Sequence, residues 1–548
     1  MDISNNKPCL VETSQGFSVS YNNKFLYSKY NPAKAIQNYV QNLEILPGSI
    51  FLCFSPVLNY GIKNLLEKLK ENCLIITVEL EKNLKEFSKK TICNHPELNV
   101  ESDSIIELTE EEIFNLPVIL HKKKYITNQN KIFPSAGTFR RIIPLEMSSG
   151  TQFCKDIYNQ LSQACTNSIM SFWANRITLT KFGRRYSKNY FTNLKILSKT
   201  CPISSFISKI NKPIIVFGAG ESFLDGINFI KNYPNQYYIL CVDTALQPLI
   251  KHGLIPDGVF IEEAQFVISK AFIGSLKYNF QIFSGLSALP EINQNIDLSR
   301  LSYFTTLYTD SDFLNKKENE SFLPQKNNPF GSVGLTAVYY ALQFRKDTKI
   351  PVYFCGMDFS YSAGFTHTKG TLAYSERLLQ NNRINPVENY SASFNPNSIK
   401  IRDKQNNVLY SNKVMINYSN LFISFFSREQ NLFDLGKTGI DLHLSKELVI
   451  YKGHENSKIT KSEFSEKTIS ILNDYLENER NQLNYLKDIL TGTIKLSENE
   501  TNEEIKKIAE PREYLYLHFP DGYCYSESLS FLKRIRTEID YFLKILND

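Results

Sequence analysis

Apolar positions along this chain gather into short unbroken runs, each closed by a glycine or an acid and followed by residues at helical spacing. Ile214-Ile-Val-Phe217 has no polar face, so it reads as a strand buried on both sides, as in a parallel sheet covered by helices. Gln236–Asp243, Pro256–Glu263 and Ile350–Asp358 have the same form, and Phe280–Ser284 and Tyr303–Tyr308 are shorter candidates. The pattern predicts an α/β protein whose centre, over 211–450, is a doubly wound, Rossmann-like sheet.

The flanks read differently. Alternation at Phe17–Tyr21, buried runs at Ser49–Phe54 and Leu74–Glu79, and a helical stretch at Tyr60–Leu69 predict an N-terminal α/β domain over 1–150. Glu79 ends its second strand, where a dinucleotide fold keeps a ribose-binding acid. The loop Ser55–Gly61 lacks the matching glycines, so the unit reads as a structural or docking domain. Helical spacing at Thr151–Arg176 and Tyr190–Leu197 predicts a connector over 151–210, with Lys181, Arg184, Arg185 and Lys188 on a solvated face or, alternatively, meeting an anionic donor or an acidic partner. Beyond 450, a capping-box sequence at Thr460–Glu463 precedes one apolar stripe that includes Leu472, Leu483 and Leu486. A second stripe, with Ile535, Ile539 and Phe542, closes a C-terminal helical domain over 451–548; Glu498–Lys507 reads as a flexible link.

Composition narrows the class. At 548 residues the chain exceeds one core, given about 150 residues per domain. Its formal charge of +6 is spread along the chain, which argues against nucleic acid as the partner. Ten cysteines without a CxxC pair read as reduced core residues with no zinc site. No run approaches the ~20 apolar residues of a membrane span, and the N-terminal residues lack the apolar core of a signal peptide. A cytoplasmic protein that does not engage membranes is expected.

The candidate chemistry sits where strands end, because polar residues at the carboxyl ends of parallel strands converge on one crevice. Gly218 and Gly220 admit a close backbone approach, and Ser222 is placed to cap a helix whose free N–H groups favour an anion. Asp243, Thr244 and Glu263 follow at the next two ends. Gly331 and Ser332 open another helix, with Ser332 as its cap. Gly356 and Asp358 end the last strand, and the loop beyond carries Tyr361 and His367. Histidine exchanges a proton most readily near neutral pH; the plainer alternative is a loop histidine bonded to backbone. Asp310-Ser-Asp312 has a metal-binding pattern but lies in a polar stretch after a weak strand, and no metal site is assigned.

Taken together, Gly218-Ala-Gly-Glu-Ser-Phe223, Val242–Leu246, Gly253–Asp257, Gly331-Ser-Val333 and Gly356-Met-Asp358 with His367 resemble the motility-associated-factor (Maf) flagellin glycosyltransferases. Tyr27–Pro32 and Asn175–Leu194 are similar to that family's N-terminal and connecting segments. The core also resembles bacterial sialyltransferases. The resemblance implies transfer of a nonulosonic acid, of the sialic, pseudaminic or legionaminic kind, from a CMP-activated donor to Ser or Thr hydroxyls of flagellin. No further cofactor is implied. Gly218, Gly220, Ser222, Asp243, Thr244, Glu263, Gly331, Ser332 and Gly356 would hold the nucleotide. Asp358, Tyr361 and His367 would be catalytic, with His367 as base and Tyr361 as a donor to the phosphate.

Two other readings stay open. The core is similar to that of archaeal pterin diphosphokinases, which need Mg²⁺ and ATP. A non-catalytic flagellar scaffold or chaperone is the third, since Glu221 puts a carboxylate in a turn meant to face phosphate. Either C-terminal stripe, if exposed, would offer a face to flagellin, to a flagellin chaperone or to a second copy of the chain.

Overall fold

The computed structural model describes residues 7–122, 125–134, 136–307, 311, 313, 321–384, 386, 397–445, 447 and 459–547. Tyr308, Asp310 and Asp312 lie outside them. Contacts divide the chain into two units, Met1–Lys181 with Phe519–Cys524, and Phe182–His518 with Tyr525–Asp548.

The first unit opens with an antiparallel sheet of β1 (Cys9–Thr13), β2 (Gly16–Tyr21) and β3 (Lys24–Phe25). The expected buried strands form β4 (Ser49–Phe54) and β5 (Leu74–Val78), joined by β6 (Ile105–Glu107) and β9 (Arg141–Glu146) in a parallel sheet of order β6-β5-β4-β9. Every residue of β4 is buried, as befits a central strand covered on both faces. β6 is short and β9 carries Pro144 and alternate exposed positions, so neither stands out as a run. A small hairpin of β7 (Tyr125–Ile126) and β8 (Ile132–Phe133) lies between them in sequence. Glu79 is committed within this unit: Ser55 Oγ donates to its Oε2 at 2.6 Å, and Tyr158 Oη and the Glu81 N–H donate to its Oε1. A carboxylate so occupied braces its own strand end.

The second unit is built on eight parallel strands: β10 (Ile214–Phe217), β11 (Tyr238–Val242), β12 (Gly258–Ile261), β13 (Gln281–Gly285), β14 (Leu301–Thr306), β15 (Lys326–Asn327), β16 (Val352–Cys355) and β19 (Leu432–Asp434). Their order is β15-β14-β13-β12-β11-β10-β16-β19. The chain steps outward from β10 through β11 and β12, then returns to place β16 on the other side of β10. Helices Phe223–Ile230 and Asp243–Lys251 follow β10 and β11, whereas Val333–Phe344 leads into β16 and packs on β10, β11, β12 and β16. Right-handed crossovers in opposite directions put helices on opposite faces, so this is the doubly wound sheet expected. A hairpin of β17 (Ile399–Arg402) and β18 (Val408–Ser411) lies in sequence between β16 and β19.

Helices differ from expectation in three places. Thr151–Leu197 is not two helices but one long one, Lys155–Ile196, preceded by a 3₁₀ turn, because the basic cluster continues the helix. Lys181 and Arg185 are exposed, but Arg184 is half-buried, not on the solvated face expected, and pairs with the buried Glu538 at 2.8 Å. The helix after the Thr460–Glu463 sequence begins later, at Glu466, where Ser465 Oγ accepts the Thr468 N–H. The expected link is the helix Glu498–Ala509, closed at its start by a capping box between Ser497 and Glu500. The two C-terminal stripes do pack together, through helices Glu466–Thr491 and Leu529–Asn547. None of the ten cysteines is in a disulfide; Cys9, Cys93 and Cys524 are exposed, since they fall on an outer strand, a helix end and a turn, not in the core. No helix among the described residues is long and apolar enough to cross a membrane.

Candidate functional site at the switch point

The order of the large sheet reverses between β10 and β16, and this is where a doubly wound sheet opens a crevice at its carboxyl edge. The two strand ends are locked together. Gly220 N–H donates to the Gly356 carbonyl at 2.8 Å and Gly218 N–H to the Cys355 carbonyl at 2.8 Å. A Cβ on Gly218 would lie 2.3 Å from the Gly356 carbonyl oxygen, and one on Gly220 would lie 2.3 Å from Asp358 Oδ2. Glycine is required here by the neighbouring strand end, apart from any ligand.

Ser222 stands at the N-cap of Phe223–Ile230, yet its side chain caps nothing. Its hydroxyl instead accepts the Gly356 N–H at 2.8 Å, while its own N–H donates to Asp358 Oδ2 at 3.0 Å. The expected cap is therefore replaced by a cross-strand brace, because the buried Gly356 N–H has no strand partner at that point. Ser332 is likewise an N-cap without a side-chain capping bond. Asp358 is 6 % exposed; burial, with Asp434 adding to it, pushes its carboxyl up to about 6 against the Ser222 bonds and the Lys404 charge. Lys404 Nζ pairs with Asp434 at 2.5 Å and also donates to the Gly436 carbonyl.

Along the same edge, Asp243 is the first residue of its helix and is buried. Its Oδ1 takes both the N–H and the hydroxyl of Thr244, at 2.5 and 2.8 Å. Burial, together with Glu263 and Glu262, raises it to about 6. At the end of β12 the more embedded acid is Glu262, the neighbour of the expected Glu263. Thr306 Oγ1 donates to its Oε1 at 2.7 Å and Thr336 Oγ1 to its Oε2 at 2.9 Å, and burial raises its pKa. Glu263 Oε1 accepts the Gln265 N–H at 3.0 Å. Two adjacent acids at a strand end cannot be told apart from spacing; Thr336, one turn into the helix that starts after Gly331-Ser332, decides which is gripped.

The loop after Asp358 folds back on the glycine turn. Ser362 N–H donates to Glu221 Oε2 at 3.3 Å and Thr368 N–H to the Ala219 carbonyl at 2.8 Å. Glu221, the carboxylate that stood out in sequence, is thus taken up by the loop. Tyr361 is buried, with its hydroxyl 3.3 Å from Ser398 Oγ and its ring stacked on Tyr410. His367 Nδ1 lies 3.2 Å from Thr366 Oγ1, and burial and the Arg377 charge lower its pKa. All twelve expected site residues therefore belong to the carboxyl edge of this sheet or to loops bonded to it. Arg377, Thr366, Thr306 and Thr336 were not foreseen; a lone arginine in a helix and scattered threonines carry no sequence signal.

A solved structure of a Maf glycosyltransferase from Magnetospirillum magneticum AMB-1 superposes with a TM-score of 0.55, covering 99 % of this chain and 92 % of that one at 13 % identity. The chain has the Maf glycosyltransferase fold. The model of the family described as 6-hydroxymethylpterin diphosphokinase MptE-like matches residues 184–364, a stretch that holds the glycine turn, Asp243, Glu262 and Asp358. An uncharacterised protein of Treponema pallidum (strain Nichols) is 28 % identical over all of this chain and 96 % of its own length. In this Maf-fold chain the matched stretch spans the switch point and stops short of His367 and Arg377. Among the described residues no group of three His, Cys, Asp or Glu is placed to hold a metal ion.

Proposed function

We propose that this protein is a glycosyltransferase that moves a nonulosonic acid from a CMP-activated donor to Ser or Thr hydroxyls of flagellin. The observation that carries the reading is the extent of the likeness: 99 % of the chain follows the fold of a Maf glycosyltransferase, flanking elements included. The edge geometry suits such a donor. The N–H groups of Gly218, Gly220 and Ser222 are bonded to the neighbouring strand end, so what the turn brings to a phosphate is a close backbone approach and the positive end of helix Phe223–Ile230. Asp243, Glu262 and Glu263 line the neighbouring strand ends, where carboxylates accept bonds from ribose and sugar hydroxyls. Ser332 and Thr244 complete that lining, Tyr361 and His367 stand on the loop over the turn, and Asp358 braces it.

The test is transfer itself. Purified protein, flagellin from cells lacking it, and CMP-activated sialic, pseudaminic or legionaminic acid are combined, and flagellin is weighed intact. A sugar-sized increment with one donor supports the reading; unchanged mass with all three, beside tight flagellin binding, supports the scaffold. A second reading, pyrophosphoryl transfer from ATP to a pterin, is favoured by the family match over residues 184–364. Binding of CMP that survives EDTA argues for the first; Mg²⁺-dependent ATP binding with AMP release argues for the second.

A further inference from the structure

We propose that His367 acts as a hydrogen-bond donor through Nε2–H, held in that tautomer by a relay from Arg377 through Thr366. The relay stands on this structure alone; only the atom that receives the bond rests on the glycosyltransferase reading.

Arg377 lies in helix Leu372–Gln380 and is 3 % exposed. Its guanidinium reaches back over the loop, Nη1 donating to the Gly364 carbonyl and Nη2 to Thr366 Oγ1. A guanidinium has donors only, so the Thr366 oxygen must accept. Its other bond is to His367 Nδ1 at 3.2 Å. The hydroxyl has one proton to give, and the arrangement that uses every group sends it to Nδ1. Nδ1 is then bare, and the proton of the neutral imidazole sits on Nε2. Burial and the Arg377 cation both disfavour the imidazolium, so the ring stays neutral near neutral pH.

This inverts the role that the resemblance implies. A general base needs a bare nitrogen facing the substrate, and here the bare nitrogen faces Thr366. What remains to offer is a donor, and it stands beside the glycine turn because Thr368 N–H is bonded to the Ala219 carbonyl. A fixed donor is what a departing phosphate requires as its charge develops. In the transfer, the bond from the anomeric carbon to the phosphate oxygen breaks with its electron pair on the phosphate, and the acceptor oxygen bonds to that carbon. The acceptor's proton leaves with the departing phosphate, and His367 keeps its own. His367 is thus a catalytic residue, and Thr366 and Arg377 are positioning residues.

Glutamine places an amide N–H near the position of Nε2 but cannot act as a base, whereas asparagine reaches only as far as Nδ1. His367→Gln should keep transfer within about tenfold of wild type, while His367→Ala and His367→Asn lose about a hundredfold to a thousandfold. Equal loss in the Gln and Ala variants would overturn the proposal. A second readout needs no activity: two-bond ¹H–¹⁵N spectra of histidine-labelled protein, with His367 assigned among the seven histidines by its absence in His367→Gln. Nδ1 should resonate as a bare nitrogen and Nε2 as a protonated one, with mixing in Thr366→Val and recovery in Thr366→Ser. The reverse assignment in wild type sinks the relay. A wild-type protein inactive on every CMP-sugar sinks the transfer reading instead, and the spectrum still decides the tautomer.

Discussion

Ser222 and Asp358 hold each other across the switch point: the Ser222 N–H donates to Asp358 Oδ2 at 3.0 Å, and the Ser222 hydroxyl accepts the N–H of Gly356, two residues before Asp358. The turn that would receive a phosphate is therefore shaped by the protein before any ligand arrives, which lowers the ordering cost of binding.

That brace has a pH signature. Asp358 is raised to about 6 in the folded protein, against about 3.9 in an unfolded chain. Between those values the native state binds the extra proton, so this group's contribution to stability falls as pH rises from about 4 to 6 and is level above. Asp358→Asn keeps an acceptor for Ser222 and removes the ionisation. Urea unfolding should show a shallower slope over that window and, at pH 7, a gain of about 1–3 kcal/mol. An unchanged slope would mean that Asp358 is not the group that titrates.

The glycines answer to the same brace. An alanine at 218 meets a backbone carbonyl at 2.3 Å, and one at 220 meets the buried Asp358 carboxylate at the same distance. Neither neighbour is the free end of a flexible chain. Gly218→Ala and Gly220→Ala should each destabilise by about 1–3 kcal/mol and weaken CMP binding by more than stability alone accounts for. Calorimetry of unfolding and of CMP titration checks both; a variant with wild-type Tm and affinity would show that the two strand ends separate freely.

Much of this was readable in the residues, for definite reasons. Buried parallel strands such as Ile214–Phe217 and Val352–Cys355 announce themselves because a strand covered on both faces has no polar position to interrupt it. Edge strands such as Lys326–Asn327 and Leu432–Asp434 do not, since two or three residues at a rim look like loop. The candidate site was legible as far as strand ends are, which is where Gly218, Asp243 and Asp358 stand. Arg377 and Thr336 act across more than ten and seventy residues of sequence respectively, on Thr366 and Glu262, and such pairings exist only in the folded chain.

Glu262 and Glu263 should part company under mutation. Glu262 satisfies Thr306 and Thr336, and Thr336 is fully buried. Glu262→Ala leaves two hydroxyls without their acceptor and should cost about 1–3 kcal/mol of stability. Glu263→Ala, whose carboxylate takes only the Gln265 N–H beside it, should leave Tm near wild type and, on the proposed glycosyltransferase reading, weaken donor binding instead. Thermal unfolding together with the KM for the CMP-sugar separates the two; the opposite pattern would exchange their roles.

The C-terminal helices depend on one buried acid in the same way. Glu479 is 6 % exposed inside helix Glu466–Thr491, where it accepts from Arg512 Nη2 at 3.0 Å and from the Tyr514 hydroxyl. Tyr514 also packs edge-on to Phe191 and Phe542, so the acid fixes a ring shared by the end of the long helix and the last helix. Glu479→Leu fills similar space but leaves a buried guanidinium unpaired, which costs about 3–5 kcal/mol. Adding Arg512→Met removes that orphaned charge and should return most of the loss. Urea midpoints of the single and double variants measure the coupling, and a double variant no more stable than Glu479→Leu would show that the damage lies in packing around Tyr514, not in the bare cation.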